Sequence, residues 1–144
     1  RHSAASGELV SVRLHLGERS AALTALIDTG NTLTDPVSGR PVMVAEGESI
    51  AALFPKDHCP RSSDLSDPAA GLARLGTGAW RTRFRLLPYR SVGVDRGLLL
   101  AVRTDLLELD GQRQGPVLVA LSPTPVSDGG GYRALIGPLD GRGV

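Results

Sequence analysis

Leu23-Thr24-Ala25-Leu26-Ile27-Asp28-Thr29-Gly30-Asn31-Thr32-Leu33 is an apolar run that carries one acidic residue into a tight Thr-Gly turn. An aspartate is almost never fully buried unless it is paired or hydrogen-bonded, so a carboxylate directly after Leu26-Ile27 needs support from its own turn. Thr29 offers a hydroxyl to brace that turn, and Gly30 lets another backbone come close. These residue types suit a carboxylate held in place for acid–base chemistry. The tripeptide alone is also ordinary turn chemistry, so its surroundings decide how it is read.

Upstream, Val10, Val12, Leu14 and Leu16 alternate with Ser11, Arg13 and His15, the period of a half-buried strand. Gly17-Glu18-Arg19 supplies a turn, and Ser20 to Asp28 returns antiparallel with Leu26 and Asp28 on one face and Ala25 and Ile27 on the other. His15 falls on the polar face and reads as a solvated strand position rather than a ligand or base. Downstream, Asp35-Pro36-Val37-Ser38-Gly39 is a turn cluster, and Asp before Pro marks Asp35 as a turn former in preference to a second catalytic carboxylate. Pro41 to Val44 is a short strand. Near the C-terminus a second apolar run, Ala134-Leu135-Ile136-Gly137, also ends in glycine.

Composition sets the frame. The chain has 144 residues, 41% of them hydrophobic, enough for one core and not two. The formal net charge is +1 and the basic residues are scattered arginines, Lys56 being the one lysine, so nucleic acid is not an expected partner. No run approaches the roughly 20 apolar residues that cross a bilayer. Cys59 is the single cysteine, which excludes an intrachain disulfide. Eighteen glycines and ten prolines favour short strands joined by turns. The start at Arg1 and the polar character of residues 1–7 suggest a linker from a missing N-terminal region, with the domain occupying residues 8–144.

Ser49 to Phe54 has helical spacing, and residues 55–78, rich in Pro, Ser, Asp and Gly, read as a long mobile surface loop. Asp57-His58-Cys59 within it lacks the companions of a metal site, and no metal or cofactor is expected. Gly76-Thr77-Gly78 and Gly129-Gly130-Gly131 are turns rather than phosphate loops. Arg81, Arg83 and Arg85 alternate along a strand to Tyr89 and form a solvated basic face. Ser91 to Gly97 reads as a hairpin tip between that strand and Leu98 to Val102. Val117 to Leu121 and Tyr132 to Gly137 complete the strands.

The pairing of Leu26-Ile27-Asp28-Thr29-Gly30 with Leu135-Ile136-Gly137 resembles retroviral-type aspartic proteases, in which the later strand packs across the one carrying the aspartate. The string from Leu26 to Val42 is similar to the protease domain of the sporulation sigma-E factor processing peptidase family, with its pattern Asp-Ser/Thr-Gly-Asn-x-Leu-x-Asp-Pro followed by Pro-Val. Leu87 to Gly93 and Gly97 to Asp105 also resemble that family. The resemblance implies an all-β, retropepsin-like fold, a closed barrel-like domain with one or two short helices, acting as an aspartic endopeptidase. It implies Asp28 as catalytic residue, supported by Thr29, Gly30 and Asn31. Leu135, Ile136 and Gly137 would pack against the catalytic loop, and Ser91, Val92, Gly93, Val94, Asp95, Arg96 and Gly97 would form a flap over the substrate. One aspartate per chain implies a homodimer sharing the dyad. The resemblance further implies the sigma-E factor precursor as substrate, an activating signal protein, and a membrane-embedded N-terminal portion with the protease domain facing the mother-cell cytoplasm. Two departures stand against the retroviral pattern: Asn31 replaces its usual alanine, and Pro138 follows Gly137 where Arg-Asn is usual. The alternative is a non-catalytic β module that binds peptide or dimerises.

Overall fold

In the computed structural model, which describes residues 7–31, 33–91 and 94–138, nine strands form one sheet. The alternating segment and its return are β1 (Leu9–Leu16) and β2 (Arg19–Ile27), antiparallel in a register that runs from Leu9 opposite Leu26 to Leu16 opposite Arg19. Val10, Val12, Leu14 and Leu16 are buried, as the alternation requires. The other strands are β3 (Met43–Glu46), β4 (Phe84–Ser91), β5 (Val94–Arg103), β6 (Leu106–Leu109), β7 (Gln112–Gly115), β8 (Leu118–Ser122) and β9 (Ala134–Ile136). Their order across the sheet is β4-β5-β8-β3-β9-β2-β1-β6-β7.

The all-β expectation holds, but the closed barrel does not: the sheet is open, with β4 and β7 at its edges. Its centre is the short strand β9, inserted between β2, to which it runs parallel, and β3, to which it runs antiparallel. β3 in turn lies parallel to β8. The hairpin of β6 and β7 turns on Asp110-Gly111, both at positive φ (49° and 83°), the backbone that a two-residue hairpin turn demands and that Asp-Gly tolerates.

Strand alternation divides the core in two. On one face Ala25, Ile27, Met43, Ala45, Leu100, Val102, Val119, Leu121 and Ile136 join a large cluster with Ile50, Leu53, Leu65 and Leu75. On the other face Val42, Leu87, Ala101, Leu118 and Ala120 form a smaller cluster, flanked by Leu33, Val44 and Leu99. Asp28 follows Leu26 onto this second face.

The structure departs from the sequence expectations at several elements. Residues 55–78 are not a loop: they hold α1 (Ser62–Ser66) and α2 (Pro68–Leu75), which cover the first face through Leu65 and Leu75. Asp67-Pro68 is the start of α2, with the Asp67 side chain accepting from the Ala70 N–H at 3.3 Å and proline in the first turn, where it forfeits no helical hydrogen bond. Asp64 is buried, yet satisfied: Arg74 donates to both its oxygens at 3.0 and 2.6 Å, and the Arg61 N–H donates at 2.8 Å. The Ser49–Phe54 helix is a 3-10 helix over Gly47–Leu53 with Ile50 and Leu53 inward. The strand expected from Arg81 begins only at Phe84, after a 3-10 turn over Gly78–Thr82 that sets Trp80 against Phe54 and Phe84, ring centres 5.8 and 5.6 Å away. The arginines there are not simply solvated: Arg83 pairs with Asp105 at 2.8 Å and Arg85 with Asp35 at 2.6 Å.

Candidate functional site

β2 ends at Ile27, and the next residue leaves the strand while keeping its hydrogen bond to β9: the Asp28 N–H donates to the Ile136 carbonyl at 2.8 Å. The turn then folds back on the carboxylate. Gly30 N–H donates to Asp28 Oδ1 at 2.9 Å, and Asn31 N–H donates to the Asp28 carbonyl at 3.1 Å. The aspartate is half-buried, Thr29 and Gly30 exposed. Asn31 ties the turn to the sheet, its Nδ2 donating to the Val42 carbonyl at 3.2 Å and its Oδ1 accepting from Leu33 N–H at 3.3 Å. An asparagine carries both donor and acceptor on one short side chain, and both are used here.

Leu135, Ile136 and Gly137 lie directly beside this turn, with Leu26 opposite Leu135 and Ile27 opposite Ile136. A Cβ at Gly137 would fall 2.9 Å from the Asn31 carbonyl oxygen, so glycine is what allows the chain after β9 to pass this close.

A cleft of about 770 Å³ opens next to the turn. Gly30, Asn31 and Leu33 form one wall and Tyr89, Arg90 and Leu99 the other, over Val44. Asp28 itself does not line the cleft, but Gly30, which does, donates to its carboxylate. The Tyr89 wall depends on a second glycine. Tyr89 pairs across the hairpin with Gly97, and a Cβ there would sit 2.7 Å from the tyrosine ring, so the ring lies against bare backbone. Gly97 therefore belongs to the β4–β5 ladder rather than to a bending tip. Of the remaining flap residues, Val92 and Gly93 lie outside the described residues, as do the side chains of Ser91, Val94, Asp95 and Arg96; the hairpin backbone pairs Ser91 with Val94. Tyr89, Arg90 and Leu99 escaped sequence reasoning as cleft residues. The available signal was a tyrosine opposite a glycine, which needs the hairpin register to be seen.

Asp35, the other acidic residue weighed from the sequence, is built into a different part of the face. It is buried, accepts the Val37 N–H at 2.9 Å, and pairs with Arg85. Burial pushes its carboxyl up, but the Val37 N–H and the Arg85 guanidinium together outweigh that and hold it below the usual carboxylate value. Its backbone closes the turn to Gly39 and Arg40. His15 bonds Glu108 across β1 and β6 at 3.0 Å, and His58 stacks on Trp80 with ring centres 5.2 Å apart. Among the described residues no three or more His, Cys, Asp or Glu side chains gather as metal ligands would, and no helix is long and apolar enough to cross a membrane.

Comparison with known proteins adds the lineage. The profile of the Peptidase_U4 family, described as sporulation factor SpoIIGA, matches residues 1–139. A Bacillus thuringiensis subsp. kurstaki protein, provisionally named a sporulation sigma factor-processing peptidase, is 29% identical over 140 residues, covering 91% of this chain and 83% of its own length. The sporulation sigma-E factor-processing peptidase of Priestia megaterium is 31% identical over 135 residues, 91% of this chain and 43% of that protein. The Bacillus subtilis protein of the same name is 30% identical over 144 residues, 95% of this chain and 46% of that protein. The chain thus spans less than half the length of the last two relatives. No solved structure matches at a significant level. The Asp28 turn and its cleft are therefore features of a chain that belongs to the sporulation factor SpoIIGA family.

Proposed function

We propose that this chain is the proteolytic domain of an aspartic endopeptidase that removes the N-terminal extension of the sporulation sigma-E factor precursor, working as a retropepsin-like homodimer with one Asp28 from each chain. The observation that carries the reading is the clamped Asp28 turn, held by Gly30 and pressed against Gly137 at the edge of a cleft, in a chain of this family. Relatives named as sigma-E factor-processing peptidases support the choice of substrate.

Hydrolysis of a peptide needs a base for water and an acid for the carbonyl oxygen. Two aspartates about 3 Å apart cannot both ionise, so they share one proton and titrate as a pair. The ionised member takes a proton from water, whose oxygen bonds the carbonyl carbon, while the protonated member gives its proton to the carbonyl oxygen. Collapse of the resulting diol breaks the C–N bond: the departing nitrogen takes up a proton from one aspartate while the other accepts a hydroxyl proton of the diol, which restores the shared proton. Gly30 N–H, bonded to Oδ1, fixes the carboxylate's orientation through these steps. Thr29 of each chain braces the partner's turn, and the β4–β5 hairpin covers the substrate. In the full-length protein a membrane-embedded N-terminal portion would hold two chains together on the cytoplasmic side, where an activating signal protein acts.

The test is cleavage of sigma-E factor precursor by chains carrying Asp28→Asn, expected to be inactive and folded. Coexpressing wild-type and variant chains in equal amounts should leave about a quarter of dimers with two aspartates and halve the activity per wild-type chain. A variant that cleaves at the wild-type rate sinks the catalytic assignment. Unchanged activity per wild-type chain, with chain exchange demonstrated, sinks the shared dyad.

A further inference from the structure

The excursion between the Asp28 turn and β3 divides the second face of the sheet. Leu33 packs against the smaller buried cluster of that face, and two hollows open there, one with Leu33 in its lining and one with Asp35 and Val37. One hollow is the cleft beside Asp28. The other, about 530 Å³, is bounded by Asp35, Val37, Arg40, Arg85 and Arg103, with Pro41 and the Pro116–Leu118 segment as its apolar wall. We propose that this second hollow is a docking site for an acidic, extended peptide segment, which reads the protein substrate about four residues from the position of Tyr89.

Charge is the first argument. Three guanidiniums face one carboxylate, and that carboxylate is already spent, since Asp35 binds Arg85 at 2.6 Å and the Val37 N–H at 2.9 Å. Arg40 has an uncharged partner, the Gln114 carbonyl at 3.1 Å, which pins it without neutralising it. Arg103 has Asp105 in its neighbourhood, but Asp105 is engaged by Arg83 at 2.8 Å and by the Gly17 N–H at 2.7 Å. Two cations are left without a carboxylate of their own among the described residues. A hollow with this balance favours an anionic occupant.

Shape and surface argue for a peptide rather than a small anion. Val37 is 80% exposed, the most exposed of the large hydrophobic side chains described, and it stands beside Pro41 and Pro116. A bare anion would leave that apolar rim in water. A chain with a carboxylate next to an aliphatic residue satisfies both parts.

Position links the two hollows. Arg85 and Tyr89 sit on the same strand and, four residues apart, on the same face. At about 3.3 Å per residue they are roughly 13 Å apart, the span of about four residues of extended chain. A substrate lying in the Asp28 cleft would reach the arginines by crossing the excursion that separates the two hollows. That the acidic segment belongs to a substrate rests on the proteolytic reading; the hollow's preference for an acidic chain does not.

The probe is a fluorescein-labelled peptide with a Leu-Glu-Glu-Val core, compared with its Leu-Gln-Gln-Val isostere. Binding is followed by fluorescence anisotropy to the chain carrying Asp28→Asn, so cleavage plays no part. The glutamate peptide should bind roughly tenfold more tightly, the yield of two partly exposed charge contacts, and the margin should shrink as salt is raised. Arg40→Gln with Arg103→Gln should abolish the margin, and Arg103→Gln alone should reduce it about threefold. Arg85 is left in place so that Asp35 keeps its partner. Equal affinity for the two peptides overturns the proposal, as does a preference that survives in the folded double variant or, should that variant not fold, a margin left undiminished in folded Arg103→Gln. A preference that disappears with the arginines upholds the docking site whatever the chain cleaves; the proteolytic reading is refuted separately, by full-length wild-type protein that leaves the sigma-E factor precursor intact.

Discussion

Gly137→Ala should injure activity more than its size suggests. The added Cβ would meet the Asn31 carbonyl oxygen at 2.9 Å, whereas carbon and carbonyl oxygen settle at about 3.3–3.6 Å. Relief therefore requires about 0.5 Å of movement. On one side stands the chain just after β9, held through Ile136 to the Asp28 N–H; on the other stands Asn31, tied to Asp28 and to Val42. Neither partner is a flexible side-chain end, so the displacement is passed to the turn that positions the carboxylate. Overpacking of this kind costs about 1–3 kcal/mol, or roughly 3–9 °C in Tm for a domain of this size. A misplacement of about 1 Å can cost a hundredfold in rate, so half of that should lower kcat about tenfold with a smaller change in KM. The assay is steady-state cleavage of sigma-E factor precursor, beside thermal unfolding followed by circular dichroism. A Gly137→Ala chain with wild-type kcat and wild-type Tm would show that the close approach of β9 does not position the turn.

Gly97→Ala should push the Tyr89 ring off the backbone it covers, raising KM several-fold while costing under about 1 kcal/mol, because the ring can swing into the cleft. Adding Tyr89→Ala to that variant should change KM little further, and additive effects of the two would refute the coupling. Arg74→Met strands the buried Asp64 carboxylate and should cost about 2 kcal/mol, near 6 °C in Tm, the figure being held down because Arg74 is itself partly exposed. The Arg74 hydrogen bond, opposed by burial and helped by the Arg61 N–H, lowers the folded-state carboxyl of Asp64 below its ordinary 3.8. Its contribution is thus complete above that value and drains away as pH falls through the lowered one, so acid unfolding of Arg74→Met should begin at higher pH than in the wild type. Coincident acid-unfolding curves would refute it.

How much of this was legible beforehand follows from the range of the forces involved. The alternation of Val10 to Leu16, the return to Asp28 and the turn after it are local patterns, and local patterns suffice because side chains two apart on a strand must share a face. Asp67-Pro68 is equally local: Ser, Asp and Pro have the composition of a loop, but their order spells a capped helix start. Asp110-Gly111 likewise announces the β6–β7 hairpin. What no local pattern contains is the placement of Ala134–Ile136 between two strands more than eighty residues earlier, the opening of the sheet at β4 and β7, the pairing of Arg85 with Asp35, or the tyrosine ring over Gly97. Local pattern dictated which side chains of β1 and β2 turn inward and where that hairpin and the Asp28 loop turn, but not that Asp64, Leu65 and Leu75 are buried. Which buried faces meet is settled by the assembled sheet, since apolar burial is non-directional and many pairings would satisfy it; register, ion pairs and the close passage at Gly137 select one.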